Sequence, residues 1–152
     1  MVHGDDRGLV LPSGVAPHQA VIMVIGSDPL VFEKAEQIRQ QLVKKLRVVV
    51  DARAESFGAR AAEHEVSGVC LRIELGPRDL ANGQFVAVRR DTGEKITLPL
   101  ASASSACPQL LKQMDKALLA KATLAMNERI FCASTLEQFK ALLSKGGFIA
   151  AP

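Results

Sequence analysis

An α/β domain, a mixed sheet of about five strands with helices on its faces, is the fold class this sequence predicts. Three observations predict it. The apolar runs "AVIMVI" (20–25) and "RVVVD" (47–51) have the composition of strands covered on both faces. Between them, apolar residues recur at spacings of three and four, the period of an amphipathic helix. From residue 69 the period changes to two, and "DTGE" marks a tight hairpin.

Taken in order, residues 1–19 hold Gly, Pro and Asp with only short apolar pieces, and read as an irregular arm with a brief strand at Leu9–Leu11. The run 20–25 is a central strand. Gly26-Ser27-Asp28 turns the chain, Asp28 caps a helix and Pro29 suits its first position. Val31, Ala35, Ile38, Leu42 and Leu46 place that helix over about 29–45. A second buried strand follows at 47–51. The Ala-rich stretch 56–66 predicts a short helix closed by Gly68. In 69–75, Val69, Leu71, Ile73 and Leu75 point one way, and Cys70, Arg72 and Glu74 the other. Two more strands, 85–90 and 95–98, flank the hairpin. Cys107, Leu110, Leu111, Met114, Leu118 and Ala125 mark a long helix over about 103–127. Ser134 and Glu137 form a capping box for a last helix, 135–144, ended by Gly146.

The chain has 152 residues, enough for one domain with a real core. Its formal net charge of +3 permits a polyanionic partner without demanding one. Cys70, Cys107 and Cys132 are far apart, with no Cys/His spacing for zinc and an odd count that argues against a disulfide framework. A reducing compartment is expected, and a cytoplasmic location with it. No apolar run approaches the ~20 residues of a membrane-spanning helix, and the N-terminus is not a signal peptide. Tryptophan and tyrosine are absent and phenylalanine occurs six times, so a nucleic-acid ligand would be read by hydrogen bonds and arginine more than by aromatic stacking.

There is no P-loop, no GxGxxG, no GxSxG and no metal-ligand cluster. His3 and His18 fall in the arm, and Asp5-Asp6 reads as a turn or ion-pair element rather than a metal pair. What stands out is a cluster by topology. Arg72 lies on the open face of the third strand, and Arg78 and Asp79 just past its end. Arg89, Arg90 and Lys95 lie on the neighbouring hairpin, and Glu65 closes the helix leading in. A solvated sheet end with surface ion pairs is one reading, such pairs being worth ~0–1 kcal/mol each. The sharper reading is base chemistry. The Watson–Crick edge of guanine offers N1–H and N2–H₂ donors to a carboxylate, while Arg or Lys satisfies O6 and N7. A phosphate site would want the cations without Glu65 and Asp79.

These same residues carry a family likeness. "GVCLRIELGPRDL", the following "ANGQFVAVRRDTGEK" and the N-terminal "HGDDRGLVLPSGVAPHQ" resemble the prolyl-tRNA synthetases of the archaeal/eukaryotic type over nearly the whole chain. The resemblance implies a class IIa synthetase anticodon-binding domain, a mixed five-stranded sheet flanked by helices that reads the guanines shared by proline anticodons. It implies that 1–18 are the tail of the class II catalytic domain, with the end of its third motif, and a linker. By the same resemblance 19–130 are the anticodon-binding domain, and 131–152 the truncated start of a C-terminal extension, carried by "EQFKALLSKGGFIAAP". Carried over by motif, the anticodon contacts are Glu65, Arg72, Arg78, Asp79 and Lys95, with Arg89 and Arg90 as candidates for the RNA backbone. The implied partners are tRNA(Pro) and the catalytic domain of the same enzyme, which is expected to be a homodimer, with no DNA and no membrane. No cofactor, metal or catalytic residue is expected in this stretch, ATP and Mg belonging to the full enzyme. Alone, the chain is expected to be inactive. The sequence departs from the family before the third strand. A Pro-Gly-x-Lys-Phe stretch and a Trp-Glu pair are replaced within "FGARAAEHEVSG", His64 standing where the Trp would be, and "GVPLR" becomes "GVCLR". The alternatives are a free-standing paralogue that recruits tRNA or a protein, and a small α/β enzyme using Asp5-Asp6 or His64 as acid–base groups.

Overall fold

The computed structural model describes residues 3–151, which divide into two compact units, one through Asp115 and one from Lys116. In the first unit a short antiparallel ribbon, β1 (Gly4–Asp5) and β2 (Gly8–Leu9), precedes the main sheet. The sheet holds β3 (Ala20–Val24), β4 (Val48–Asp51), β5 (Leu71–Leu75), β6 (Gln84–Arg89) and β7 (Lys95–Pro99) in the order β4-β3-β5-β6-β7. β3 runs parallel to β4 and β5, and β5, β6 and β7 are antiparallel neighbours. The five-stranded mixed sheet expected from the sequence is therefore present.

Two layers of helix cover this sheet unequally. α1 (Pro29–Leu42) and the first half of α4 (Ala103–Asn127) pack on one face. There Val31, Ala35, Ile38 and Leu42 meet Ile22, Leu71, Ile73, Leu75, Phe85, Ala87, Cys107, Leu111 and Met114 in one dry cluster. α1 begins as expected: Asp28 accepts from the backbone N–H of Leu30 at 2.9 Å, and Pro29 opens the helix. It ends three residues earlier than the sequence suggests, and Leu46 joins the core from the loop beyond. On the opposite face α2 (Phe57–Val66) is laid down, over Val21 and Met23 of β3. Among the described residues of this unit no second helix covers the other half of that face, which is why Lys95, Thr97 and Pro99 of β7 are exposed while Ile96 and Leu98 pack into the core.

The entry to β5 differs from the expected alternation. Gly68, at φ +78°, lets the chain leave α2 with Val69 N–H bonded to His64 O at 3.1 Å. The strand then begins at Leu71 rather than at 69. Val69 joins the α2 side, and Cys70 joins the α1/α4 side with Leu71, because both precede the pleat. Past β5, in a stretch to which the sequence reading assigns no element, a one-turn helix α3 (Pro77–Ala81) forms. Its periodic signal is too short to see, but Pro77 at its start and Asp79 reaching back to the N–H of Gly76 at 3.0 Å explain it. Pro108 lies inside α4, and the carbonyl of Ser104 accepts from Lys45 Nζ at 3.1 Å. Proline has no N–H to offer the carbonyl four residues back, so the lysine serves in its place.

The second unit holds the remainder of α4, β8 (Ile130–Cys132), α5 (Leu136–Leu143) and β9 (Phe148–Ala150). β8 and β9 pair in parallel across α5. The cap of α5 sits one residue later than expected. Thr135 accepts from Gln138 N–H at 3.3 Å, and Gln138 Oε1 accepts from Ser134 N–H at 2.9 Å. The two pairs, Ser134/Glu137 and Thr135/Gln138, satisfy the same spacing, and the backbone took the second. Among the described residues no helix is long and apolar enough to cross a membrane.

A candidate nucleic-acid interface

The uncovered half of the sheet has a floor dictated by register. Arg72 of β5, Val88 of β6 and Lys95 of β7 stand opposite one another on adjacent strands. Glu74, Val86 and Thr97 make the next row. The last turn of α2 walls this floor with His64 and Glu65. The result is a cleft of about 160 Å³ lined by Glu65, Arg72, Val88, Arg89, Lys95 and the arm residue Arg7, among others. That volume is below the ~300–1,000 Å³ of small-molecule pockets, and its walls are charged rather than apolar.

Acids and bases alternate across the floor. Arg72 donates through Nη1 to Glu65 Oε1 at 2.8 Å and through Nε to Glu74 Oε1 at 3.0 Å. Its guanidinium also lies 5.9 Å from the centre of the Phe57 ring, within cation–π range. Lys95 Nζ approaches Glu74 Oε2 at 3.5 Å while its side chain is 62 % exposed. Glu74 is buried, and the sequence-derived site residues omit it. Its opposite charge two places from Arg72 on a strand is the signal that it belongs with them. Glu65 gives one carboxylate oxygen to Arg72, and the other has no hydrogen-bond partner among the described residues. Lys95 likewise has ammonium protons to spare. An ordered acceptor beside an ordered donor is what a guanine edge requires.

His64 is fixed beneath this wall. Its Nε2 lies 2.7 Å from Asp51 Oδ2, at the end of β4. Asp51 is buried and also accepts from Arg53 at 2.9 Å and from Arg60 Nη1 at 3.2 Å. Burial alone would raise the Asp51 carboxyl; the hydrogen bonds from Arg53, His64 and Arg60 outweigh it and hold the group well below the usual carboxylate range. Arg60, itself buried, bridges further to Val24 O at 2.9 Å. The histidine that replaces a family tryptophan is thus tied into an ionic network that anchors α2.

The remaining expected residues separate. Arg78 and Asp79 sit on α3, beyond the far end of β5 from Arg72, and do not line the cleft. Arg78 is exposed and has no hydrogen bond or ion pair among the described residues. Asp79 is half-buried and caps α3, a task the sequence did not disclose. Arg89 donates to both oxygens of Asp91 at 3.0 and 2.8 Å. Arg90 departs most from expectation. As a backbone-contacting cation it would be exposed, yet it is buried, gripping Asp5 through Nη1 at 2.8 Å and Nη2 at 2.6 Å and reaching Glu65 O at 3.3 Å. It fastens the N-terminal ribbon to the sheet. Asp5 accordingly serves as an ion-pair element, and its hydrogen bond from Arg90 holds its carboxyl well below the usual range. No group of three or more metal-ligating side chains exists among the described residues.

Residues 19–110 match the family model described as "Anticodon binding domain". The chain is 42% identical over 153 aligned residues to a proline–tRNA ligase of Clostridium novyi, covering 99% of this chain and 32% of that protein. It is also 40% identical over 153 residues to a proline–tRNA ligase of Mesoplasma florum, again 32% of that protein. A crystal structure of prolyl-tRNA synthetase from Cryptosporidium parvum, complexed with halofuginone and AMPPNP, superposes with a TM-score of 0.94 at 34% identity, over 99% of this chain and 32% of that one. The chain thus spans about a third of the length of the relatives it matches.

Proposed function

This chain belongs to the anticodon-binding domain family, and on that premise we propose that it is the anticodon-reading part of a proline–tRNA ligase, taking tRNA(Pro) as its partner. The observation that carries the reading is the Glu65–Arg72–Glu74–Lys95 ladder, which lies wholly within the matched residues, beside the part of the sheet that α2 covers. In this reading Glu65 accepts from N1–H and N2–H₂ of an anticodon guanine, and Lys95 and Arg72 face its O6 side. Arg78 and Asp79, at the far end of β5, address a second guanine.

The archaeal/eukaryotic type is proposed on the "GVCLRIELGPRDL" stretch and the ribbon motif. The domain plan proposed with it assigns 1–18 to the tail of the catalytic domain, 19–130 to the anticodon-binding domain and 131–152 to a C-terminal extension. Proline activation with ATP and Mg is assigned to the part of the homodimeric, cytoplasmic enzyme that this chain does not span, so the chain alone should give no proline-dependent ATP–pyrophosphate exchange. The deciding experiment is a titration of the chain against a proline tRNA transcript and one with an anticodon guanine changed to adenine. The guanine transcript should bind more tightly by about 1–3 kcal/mol, the worth of one bidentate base contact. Equal affinity for the two would overturn the reading.

A further inference from the structure

The family model begins at residue 19, yet a side chain from well before it lines the cleft. Arg7 sits in the turn of the β1–β2 ribbon, and its guanidinium nitrogens come within 3.8 and 3.9 Å of where a Cβ on Gly93 would stand, at the tip of the β6–β7 hairpin. Two contacts dock the ribbon, and a third, within it, orients its turn. Arg90 grips the carboxylate of Asp5 with two hydrogen bonds. Asp5 Oδ1 also accepts the backbone N–H of Arg7 at 2.9 Å, which orients the turn. Gly8, at φ +132°, lies so close to the end of α2 that a Cβ would fall 2.7 Å from Glu65 O and would collide with Val66 Cα.

Among the cations lining the cleft, Arg7 is weakly compensated. Arg72 and Arg89 each hold a carboxylate within 3 Å with side chains 13 % exposed. Among the described residues Arg7 has only Asp5 at 4.0 Å, a carboxylate that Arg90 already occupies, and is 53 % exposed. A cation held by its backbone at the mouth of an acid–base cleft, with its head in water, suits a phosphate rather than a base edge.

We infer that the arm completes the interface: Arg7 contacts the phosphate backbone of the RNA strand entering the cleft, and the Asp5–Arg90 pair holds it in position. This rests on the RNA reading above. The geometry makes Arg7 a positioning contact, blind to base identity, and Glu65 a discriminating one.

The test uses the whole chain and two anticodon stem–loops, one with the proline guanines and one with a guanine changed to adenine, titrated from about 50 to 200 mM salt. Arg7→Ala should raise Kd about three- to tenfold for both RNAs alike and reduce the slope of log K against log salt by about 0.7, the share of one single-strand phosphate contact. Arg7→Lys should keep most of both. Glu65→Gln should instead erase the preference for guanine and leave the salt slope unchanged. In an Asp5→Asn background, or with Arg90→Lys should that variant melt early, Arg7→Ala should cost less than about twofold, because the turn is no longer held. If Arg7→Ala changes neither affinity nor slope while Glu65→Gln still erases the preference, the arm is not part of the interface and the RNA reading stands. An undiminished Arg7 effect without the Asp5–Arg90 pair removes the positioning role. If the unmodified chain binds neither RNA, both inferences fall.

Discussion

The two faces of β5 solve different problems with one backbone. Leu71, Ile73 and Leu75 are fully buried under α1 and α4, in a cluster without a charge. One residue out of step, Arg72 and Glu74 are nearly as sheltered but ionic, and each is paired on the open face. Burying the first set contributes stability at roughly 1.5–3 kcal/mol per large side chain. The second set contributes little net, since desolvation of such pairs offsets most of their attraction. A sheet that wanted only stability would have covered both faces.

Substitutions on either side can break this contrast. The largest effect is expected on the dry face. Phe85 is completely buried, and Phe85→Ala should cost about 3–5 kcal/mol in denaturant unfolding, with guanine preference in the folded fraction untouched. A loss under 1 kcal/mol would mean that this face is not the stabilising one. Next comes Arg60, the buried anchor of the α2 network. Arg60→Ala should cost about 2–3 kcal/mol, below the 3–5 typical of a broken buried pair because Asp51 keeps Arg53 and His64. The same network fixes an acid limit. The Asp51 carboxyl is lower folded than unfolded, so its contribution is complete above the ordinary value of 3.8 and is lost as pH falls below it. Asp51→Asn should flatten that part of the stability–pH curve, and an unchanged curve would remove Asp51 from the network. The smallest effect belongs to α3. Asp79→Ala removes a cap and should cost about 1 kcal/mol. If the variant also loses affinity selectively for one anticodon guanine, the cap and the base contact share one carboxylate; an equal loss for all RNAs would leave Asp79 structural.

Periodicity made the sheet, α1 and α4 legible, because each has a long run of apolar positions facing one core. It failed where one or two residues decide. Gly68 shifts the start of β5 and sends Val69 and Cys70 to faces the alternation did not foresee. α3 is a single turn, too short to show a period. For the site, topology and the family resemblance bring Glu65, Arg72 and Lys95 together, along with Arg78, Asp79, Arg89 and Arg90, of which Arg78 and Asp79 lie away from the cleft. The role of Arg90 was not legible, because its partner Asp5 is 85 residues away and lies in an arm with no pattern of its own. Arg7 was invisible for the same reason. Asp51 looked like the end of a strand, and only the fold brings Arg60 and His64 to it.

The pairing within the cleft has a kinetic consequence. Arg72 and Lys95 are compensated by Glu65 and Glu74 before any ligand arrives, so at a distance the floor of the cleft contributes little field of its own. The pull on an anionic ligand comes instead from Arg7 at the mouth, and it does not depend on the base. The ligand arrives at the ordinary rate set by diffusion and orientation, about 10⁵–10⁷ M⁻¹s⁻¹, whether or not it carries the right base. Right and wrong ligands then part company by residence time, because only a matched edge can take over the hydrogen bonds that the carboxylates and cations give one another.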